Sequence, residues 1–335
     1  MDRTEFLRRS EQICSSISFG VELEFCGITR RSAALLIESE LQRLFPDSVC
    51  SVSKYYHSRR DIYDVIVDDE VWFTLKYDGS ISSYHFNANC DCVEGRTVFR
   101  SELVTKPMYL RELWVLEPIL NALIRGDSET YQCMLIDKNC GCHIHISAET
   151  LNIRGLKALC NNVYSKQTLL THAVGESKKS VRYHYMQWYP EKLVESLKTV
   201  TSMIEFRNVY FAALTTEPYN IETEVNRPYK TTRYYLLNLC PLWDNRGFNT
   251  VEFRLFGSTD DFDVLSAYIM FCLKFVAYCS LVSKSSYRDE STLSSKSKRY
   301  RMHCFLNKIG CDSKSYKNVR RVFLENLEGK SAHSK

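Results

Sequence analysis

The sequence predicts an α+β fold, and three observations carry that expectation. Strand-like segments hold pairs of strong ligand residues two positions apart in otherwise apolar sequence: Glu22 and Glu24 in FGVELEF, His143 and His145 in CGCHIHIS, Glu252 and Arg254 in TVEFRLF. Residues i and i+2 of a strand share a face, so each segment aims two charged or coordinating groups one way and packs Leu23, Ile144 or Phe253 the other way. Segments with apolar residues at helical spacing lie between these strands, and no internal repeat joins them into an array.

The first strand, residues 18–26, ends at Gly27, and Thr29 is placed to cap a helix that runs to Leu44 on Ala33, Ala34, Ile37 and Leu41. Pro46 and Asp47 stop that helix. Alternation of β-branched and aromatic residues predicts strands over 63–67 and 71–75, with a turn at Asp78-Gly79. The polar, cysteine-bearing stretch 87–96 reads as a loop leading into a strand, 97–105, that contains Glu102. After Pro107 a helix is expected on Leu113, Leu116, Ile119, Leu120 and Leu123, then the CHIHIS strand, then a helix over 151–163. Residues 164–230 give no clean pattern; strands are expected over 233–239 and 250–256. A terminal helix over 316–327, with Gly329 as its stop, follows a Ser/Lys-rich linker, SKSSYRDESTLSSKSKR.

Residues 264–282, VLSAYIMFCLKFVAYCSLV, are apolar and just long enough to span a bilayer. Lys274 near the middle would cost about 2.5–3.5 kcal/mol there, and Asp260, Asp261 and Asp263 suit a helix N-terminus. A buried helix of a large domain is the reading, with no membrane partner.

A length of 335 residues, 44% hydrophobic and 25% charged, fits a globular chain of one large domain or two modest ones. The segment MDRTEFLRRSEQICSS is charged and carries no apolar run, so no signal peptide is expected. Fourteen cysteines without such a signal suggest reduced thiols and a cytoplasmic location. Cys90/Cys92 and Cys140/Cys142 have C-x-C spacing, a weak zinc signal. Charge is uneven: residues 284–335 hold 13 Lys/Arg against 5 Asp/Glu, which leaves the preceding chain acidic. This sets an expected catalytic domain, 15–283, apart from a basic linker and helical extension, 284–335. The extension is expected to be separable from the chemistry unless the apolar stripe of 319–327 covers part of the core. The sequence holds no RNA-binding signature, so a nucleic-acid partner is not expected, and the 21 tyrosines read as packing.

Glu22, Glu24, Glu102 and Glu252 are four carboxylates on segments expected in one sheet, and like charges so placed call for cations. Oxygen-rich sets suit Mg²⁺ or Mn²⁺, and Arg254 beside a metal-bound carboxylate is suited to a phosphate or carboxylate oxygen. Metal, arginine and an electronegative wall are equipment for phosphoryl transfer from a nucleotide. Any one of these strands alone would read as an exposed face. His-x-His alone would read as a zinc pair, which makes a zinc hydrolase centred on His143 and His145 the competing reading. A non-catalytic binder on the same fold is the third.

The ordered set GVELEF, WFTLKYDGS, SELVTKP, CGCHIHIS, LLNL and TVEFRLF resembles the amidoligase family of the glutamine synthetase and glutamate–cysteine ligase superfamily, over residues 18–282. The resemblance implies a glutamine synthetase-like curved antiparallel sheet forming a funnel-shaped active site, with helices packed outside. It implies ATP- and Mg²⁺-dependent joining of a carboxylate donor to an amine acceptor, small molecule, peptide or protein, through an acyl-phosphate. Carried over, Glu22, His143 and Glu252 look like ligands of the cation nearest the nucleotide phosphates, and Glu24 and Glu102 like ligands of the cation nearest the acceptor. His145 would lie beside the phosphates, and Arg254 would stabilise the transferred phosphoryl group. Asp78, Arg182 and Arg233 are further candidates for holding nucleotide or substrate, against a turn-fixing role for Asp78 and a surface role for the arginines. Asn238 in LLNL could bridge strands or meet a ligand.

Overall fold

Alternation places the strands, and the residues that break it end them. The computed structural model describes residues 1–57, 60–81, 99–215, 231–244, 247–282 and 297–329. In chain order its elements are α1 (Arg3–Ser16), β1 (Phe19–Phe25), α2 (Arg30–Leu44), β2 (Cys50–His57), β3 (Arg60–Val67), β4 (Glu70–Lys76), β5 (Ser101–Thr105), α3 (Leu116–Arg125), β6 (Gly141–Ser147), α4 (Ile153–Ala173), α5 (Glu191–Ser196), α6 (Met203–Leu214), β7 (Leu237–Asn238), β8 (Thr250–Gly257), α7 (Phe262–Leu281), α8 (Lys298–Ile309) and α9 (Lys317–Glu325). The fold is mixed α+β, and the strand pairings with a resolved register are antiparallel. The expected loop 87–96 and most of the Ser/Lys linker lie outside the described residues.

The chain divides into two compact units. One, Gly20–His143 with Gly257–Ser266, carries strands in the order β2-β3-β4-β5-β1, with β6 next to β1. Its register explains its two faces. Leu75 pairs with Leu103, which pairs with Leu23, and all three are buried. One position along, Lys76 pairs with Glu102, which pairs with Glu24. Alternation therefore turns an apolar row to one side and a charged row to the other. Helix α2 packs on β2, β3 and β4 through its buried positions Ala33, Ala34, Ile37 and Leu41. It starts where Thr29 accepts a hydrogen bond from the Ser32 amide, as the sequence predicts. Gly27 ends β1 with φ at 86°, and a Cβ there would sit 2.5 Å from the Cys133 carbonyl oxygen, so no other residue fits.

The second unit, Met1–Phe19, Ile144–Phe256 and Ala267–Lys335, carries strands in the order β6-β8-β7 and most of the helices. The strand expected over 233–239 is reduced to Leu237–Asn238, because a 3-10 turn at Thr231–Arg233 precedes it and another at Cys240–Trp243, opened by Pro241, follows it. Helix α6, in the stretch that gave no clean pattern, starts on a capping box of Ser202 and Glu205. Helix α7 is long and apolar enough to cross a membrane, yet it is mostly buried within the protein. Lys274 sits on it fully buried, with its ammonium 2.8 Å from Glu11 Oε1 and 3.1 Å from Ser10 Oγ on α1. Tyr316 also donates to Glu11.

The C-terminal helices share this core. Phe323 of α9 stacks on Phe271 of α7 at 4.2 Å between ring centroids, and Phe305 of α8 meets Phe275 edge-on at 5.2 Å. The apolar stripe of the terminal helix thus lies against α7 and holds residues 298–325 to it. Phe323→Ala is expected to lower unfolding stability by about 3–5 kcal/mol, the range for a buried phenylalanine that leaves a cavity. Denaturant unfolding checks this, and a loss below about 1 kcal/mol would mean that the terminal helices pack loosely.

Candidate active site

The charged row of the first unit gathers three of the four acids that the sequence singles out, Glu22, Glu24 and Glu102. Glu102 is 3% exposed and Glu24 4% exposed, on neighbouring strands and directly paired. Glu22, two residues before Glu24, shares its face. The His143 Nδ1 atom lies 3.2 Å from Glu22 Oε2, and its Nε2 lies 3.8 Å from Glu24 Oε1. Glu24 accepts a hydrogen bond from the Gly141 amide at 2.7 Å. Asp78, after β4, accepts from the Ser80 amide and hydroxyl, each at 2.5 Å, so it fixes the turn as one reading of DGS expects. It also stands in the cluster: ligand atoms of Glu22, Glu102 and His143 all lie within 4.8 Å of one another, as do those of Glu24, Asp78 and Glu102.

One cation of the protein's own enters this cluster. Lys76 Nζ is 2.8 Å from Glu102 Oε2 and 3.8 Å from Glu22 Oε1. Burial opposes the charge on Lys76, but Glu22 and Glu102 outweigh it and hold the ammonium above its ordinary range. Burial pushes the Glu102 carboxyl well above the usual carboxylate range, and the charge of Glu22 adds to the effect while Lys76 opposes it. A single ammonium among four carboxylates leaves the cluster short of positive charge. Carboxylate oxygens joined by one imidazole form a donor set suited to Mg²⁺ or Mn²⁺, so the residues present fit a divalent ion of that class. A zinc hydrolase site would draw its ligands chiefly from imidazole or thiolate. Each grouping within this unit holds at most one imidazole, and among the described residues no cysteine enters such a group. The Cys140 thiol, hydrogen-bonded to Cys26 and buried, is pushed far above the thiolate range. Cys90 and Cys92 lie outside the described residues.

The second unit sets out Glu252 and Arg254 on β8. Arg254 and Glu252 form a direct ion pair, both about 96% buried. Asn238, paired with Glu252 across β7 and β8, donates to Glu252 Oε2 at 2.5 Å and accepts from the Cys240 amide at 2.9 Å, so it bridges backbone and site acid together. Arg254 Nε donates to the Tyr185 carbonyl at 3.2 Å, and its guanidinium lies 6.0 Å from the centre of the Tyr234 ring. Arg182 is buried behind it, bonded to the Arg254 carbonyl at 3.3 Å and to Glu176 at 3.0 Å. Its hydrogen bonds make it a support for Arg254 rather than a surface arginine. Arg233 is half-buried, 5.7 Å from the Tyr234 ring. His145 has Nδ1 3.0 Å from Thr250 Oγ1.

Sequence reasoning missed Lys76, whose position at i+2 from Thr74 in WFTLKYDGS is the available signal. It also missed the arginines around Tyr77. Arg60 stacks 3.5 Å from that ring centre, Arg30 lies 5.8 Å from it, and Arg100 donates to the hydroxyl at 3.2 Å. Nothing local in the sequence joins residues 30, 60 and 100.

A family profile described as "Putative amidoligase enzyme" matches residues 15–276, and the chain belongs to that family. Among solved structures it is similar to the crystal structure of a bifunctional glutathione synthetase from Pasteurella multocida, at 13% identity and a TM-score of 0.43. The match covers 97% of this chain and 48% of that one, so this chain spans about half that protein's length. No curated protein matches it.

Glu102 gives the metal-free protein a predictable response to pH. Unfolded, its carboxyl titrates near about 4.3; folded, it titrates well above that. Folding therefore takes up a proton between those values, and stability falls as pH rises through that window. Glu102→Gln removes the titration, so the variant should gain on the wild type between pH 5 and pH 8 in urea unfolding with EDTA present. A difference that stays constant with pH would mean that the carboxyl ionises as freely folded as unfolded.

Proposed function

We propose that this amidoligase-family chain is an ATP- and Mg²⁺-dependent carboxylate–amine ligase that forms an amide or isopeptide bond through an acyl-phosphate. The observation that carries the reading is the buried row of Glu24 and Glu102, with Glu22, Asp78 and His143 around it, in a chain of that family. These five residues are the ones that would hold divalent cations in the unit Gly20–His143. Bound there, the cations would neutralise nucleotide phosphate oxygens and the carboxylate under activation. Glu252 is proposed as a further ligand, with Asn238 holding its second oxygen.

The chain's own residues supply the rest. Arg254 carries a permanent charge fixed by Glu252 and the Tyr185 carbonyl, which preorganises it for charge on a phosphoryl group in transfer. His145, with Nδ1 at Thr250, is proposed to meet the phosphates. Arg182 acts by holding Arg254, and Arg233 remains a candidate for nucleotide. The arginines at Tyr77 suit an anionic group of either substrate. In the reaction, an oxygen of the donor carboxylate attacks the γ-phosphorus and ADP leaves. The amine then attacks the acyl carbon, phosphate leaves with the C–O bond electrons, and the nitrogen loses a proton. A cytoplasmic setting is part of this reading, on the cysteine-rich sequence alone.

Incubation with ATP, Mg²⁺ and a pool of acids and amines should release ADP and phosphate; AMP and pyrophosphate would point to adenylation instead. Glu22→Ala, Glu24→Ala and Glu252→Ala are each expected to cut turnover by at least about 100-fold, a typical loss when one charge-stabilising group goes. Their cooperative unfolding should persist, since removing one acid relieves repulsion. Loss of folding in all three would make the acids structural.

Metal exchange separates this reading from a hydrolase. Activity removed by EDTA should return with Mg²⁺ or Mn²⁺. Restoration by zinc alone would place the chemistry on the His-x-His strand instead.

A further inference from the structure

We propose that Lys76 is a tethered stand-in for the metal: its ammonium occupies the cation position between Glu22 and Glu102, and a divalent ion must displace it to bind. This rests on the metal-holding part of the function proposed above and adds to it a residue that sets cation affinity.

The geometry points this way on three counts. Lys76 Nζ contacts Glu102 Oε2 at 2.8 Å and Glu22 Oε1 at 3.8 Å, so one ammonium bridges two carboxylates. Those carboxylates are the ones whose oxygens, with a nitrogen of His143, converge within 4.8 Å as a ligand set. An ammonium and a doubly charged ion held by the same two carboxylates repel each other and compete for their charge. Glu24, by contrast, has its own donor in the Gly141 amide and needs no ammonium. The side chains also differ in freedom to move. Glu102 is held with 4% of its side chain exposed, while that of Lys76 is 37% exposed, and Lys76 is the last residue of β4. The long lysine stem can swing its charge to solvent while the carboxylate stays in place. Competition of this kind keeps the acids paired when no metal is bound and lowers the affinity of the cluster for a divalent ion.

The test uses the full chain, stripped of metal, and no nucleotide, so it is independent of whether the protein proves to be a ligase. Mn²⁺ affinity is measured by calorimetric titration and by loss of the free-ion electron paramagnetic resonance signal, for wild type, Lys76→Gln and Lys76→Arg. Lys76→Gln should bind Mn²⁺ at least about tenfold more tightly, by removal of a competing unit charge at contact distance. Lys76→Arg, which keeps the charge, should stay near wild type. Equal or weaker binding by Lys76→Gln, or no saturable binding by either protein, overturns the proposal. A second measurement needs no variant. Reductive methylation of the wild type, mapped by peptide mass, should label Lys76 faster with saturating Mg²⁺ than without it. Labelling that does not change with Mg²⁺ overturns the displacement.

Discussion

Repulsion between carboxylates that share one buried sheet face is the constraint on which the unit Gly20–His143 depends. Antiparallel pairing puts Glu24 opposite Glu102, and the pleat puts Glu22 on the same side. Nothing in strand pairing itself rewards that arrangement; like charges directly opposed weaken a sheet. The compensation comes from the other face and from the strand ends. Leu75, Leu103 and Leu23 form a buried row one residue out of phase with the acids, so the register that exposes the leucines would also scatter the carboxylates. The apolar row and the acid row therefore specify each other. A one-residue slip of β5 would turn Glu102 to the apolar face and lose both rows.

Local chemistry made much of this readable from the chain alone. The E-x-E, H-x-H and E-F-R segments declare their faces within five residues, and α2 declares both its cap at Thr29 and its buried stripe. Register is another matter. Nothing in WFTLKYDGS says that Lys76 will stand beside Glu102, because that pairing depends on which strand lies next to β4. Elements without contrast were also lost. Strand β2 is exposed along most of its length, so it shows no alternation, and α1 buries only Phe6, Ser10 and Cys14 along a highly charged surface. Helix α8 hides Met302, Phe305, Leu306 and Ile309 at helical spacing among lysines and arginines, and no element is read from the sequence there.

Arg254 shows why the second set of groups was only half legible. The E-F-R segment names the arginine and its partner Glu252, since i and i+2 share a face. Its remaining supports come one at a time from distant positions: the Tyr185 carbonyl, Arg182 bonded to its own carbonyl, and Asn238 on the far oxygen of Glu252. A permanently charged guanidinium buried to this extent is tolerated only when its hydrogen bonds and counter-charge are supplied in fixed geometry. Residues 176–186 do that without any motif of their own, and the LLNL segment adds Asn238. The stretch that yields no pattern in sequence is thus the stretch that orients the arginine.

Two lysines separate structural from functional charge in this molecule. Lys274 is wholly buried on α7, and Glu11 answers its charge one for one, with Ser10 completing its hydrogen bonds and Tyr316 tying the same acid to the C-terminal segment. Such a balanced pair has no call on an outside ion; it fastens α1 to α7, and removing Glu11, itself about half exposed, would strand the buried ammonium. Lys76 is the opposite case. It faces Glu22 and Glu102 directly, with Glu24 and Asp78 close behind in the same cluster, so its single charge cannot balance what surrounds it. The presence of an ion pair does not distinguish the two. The local sum of charge does. Where it closes, the lysine holds the fold; where acids remain in excess on a buried face, the cluster keeps a negative charge that its own lysine does not cancel.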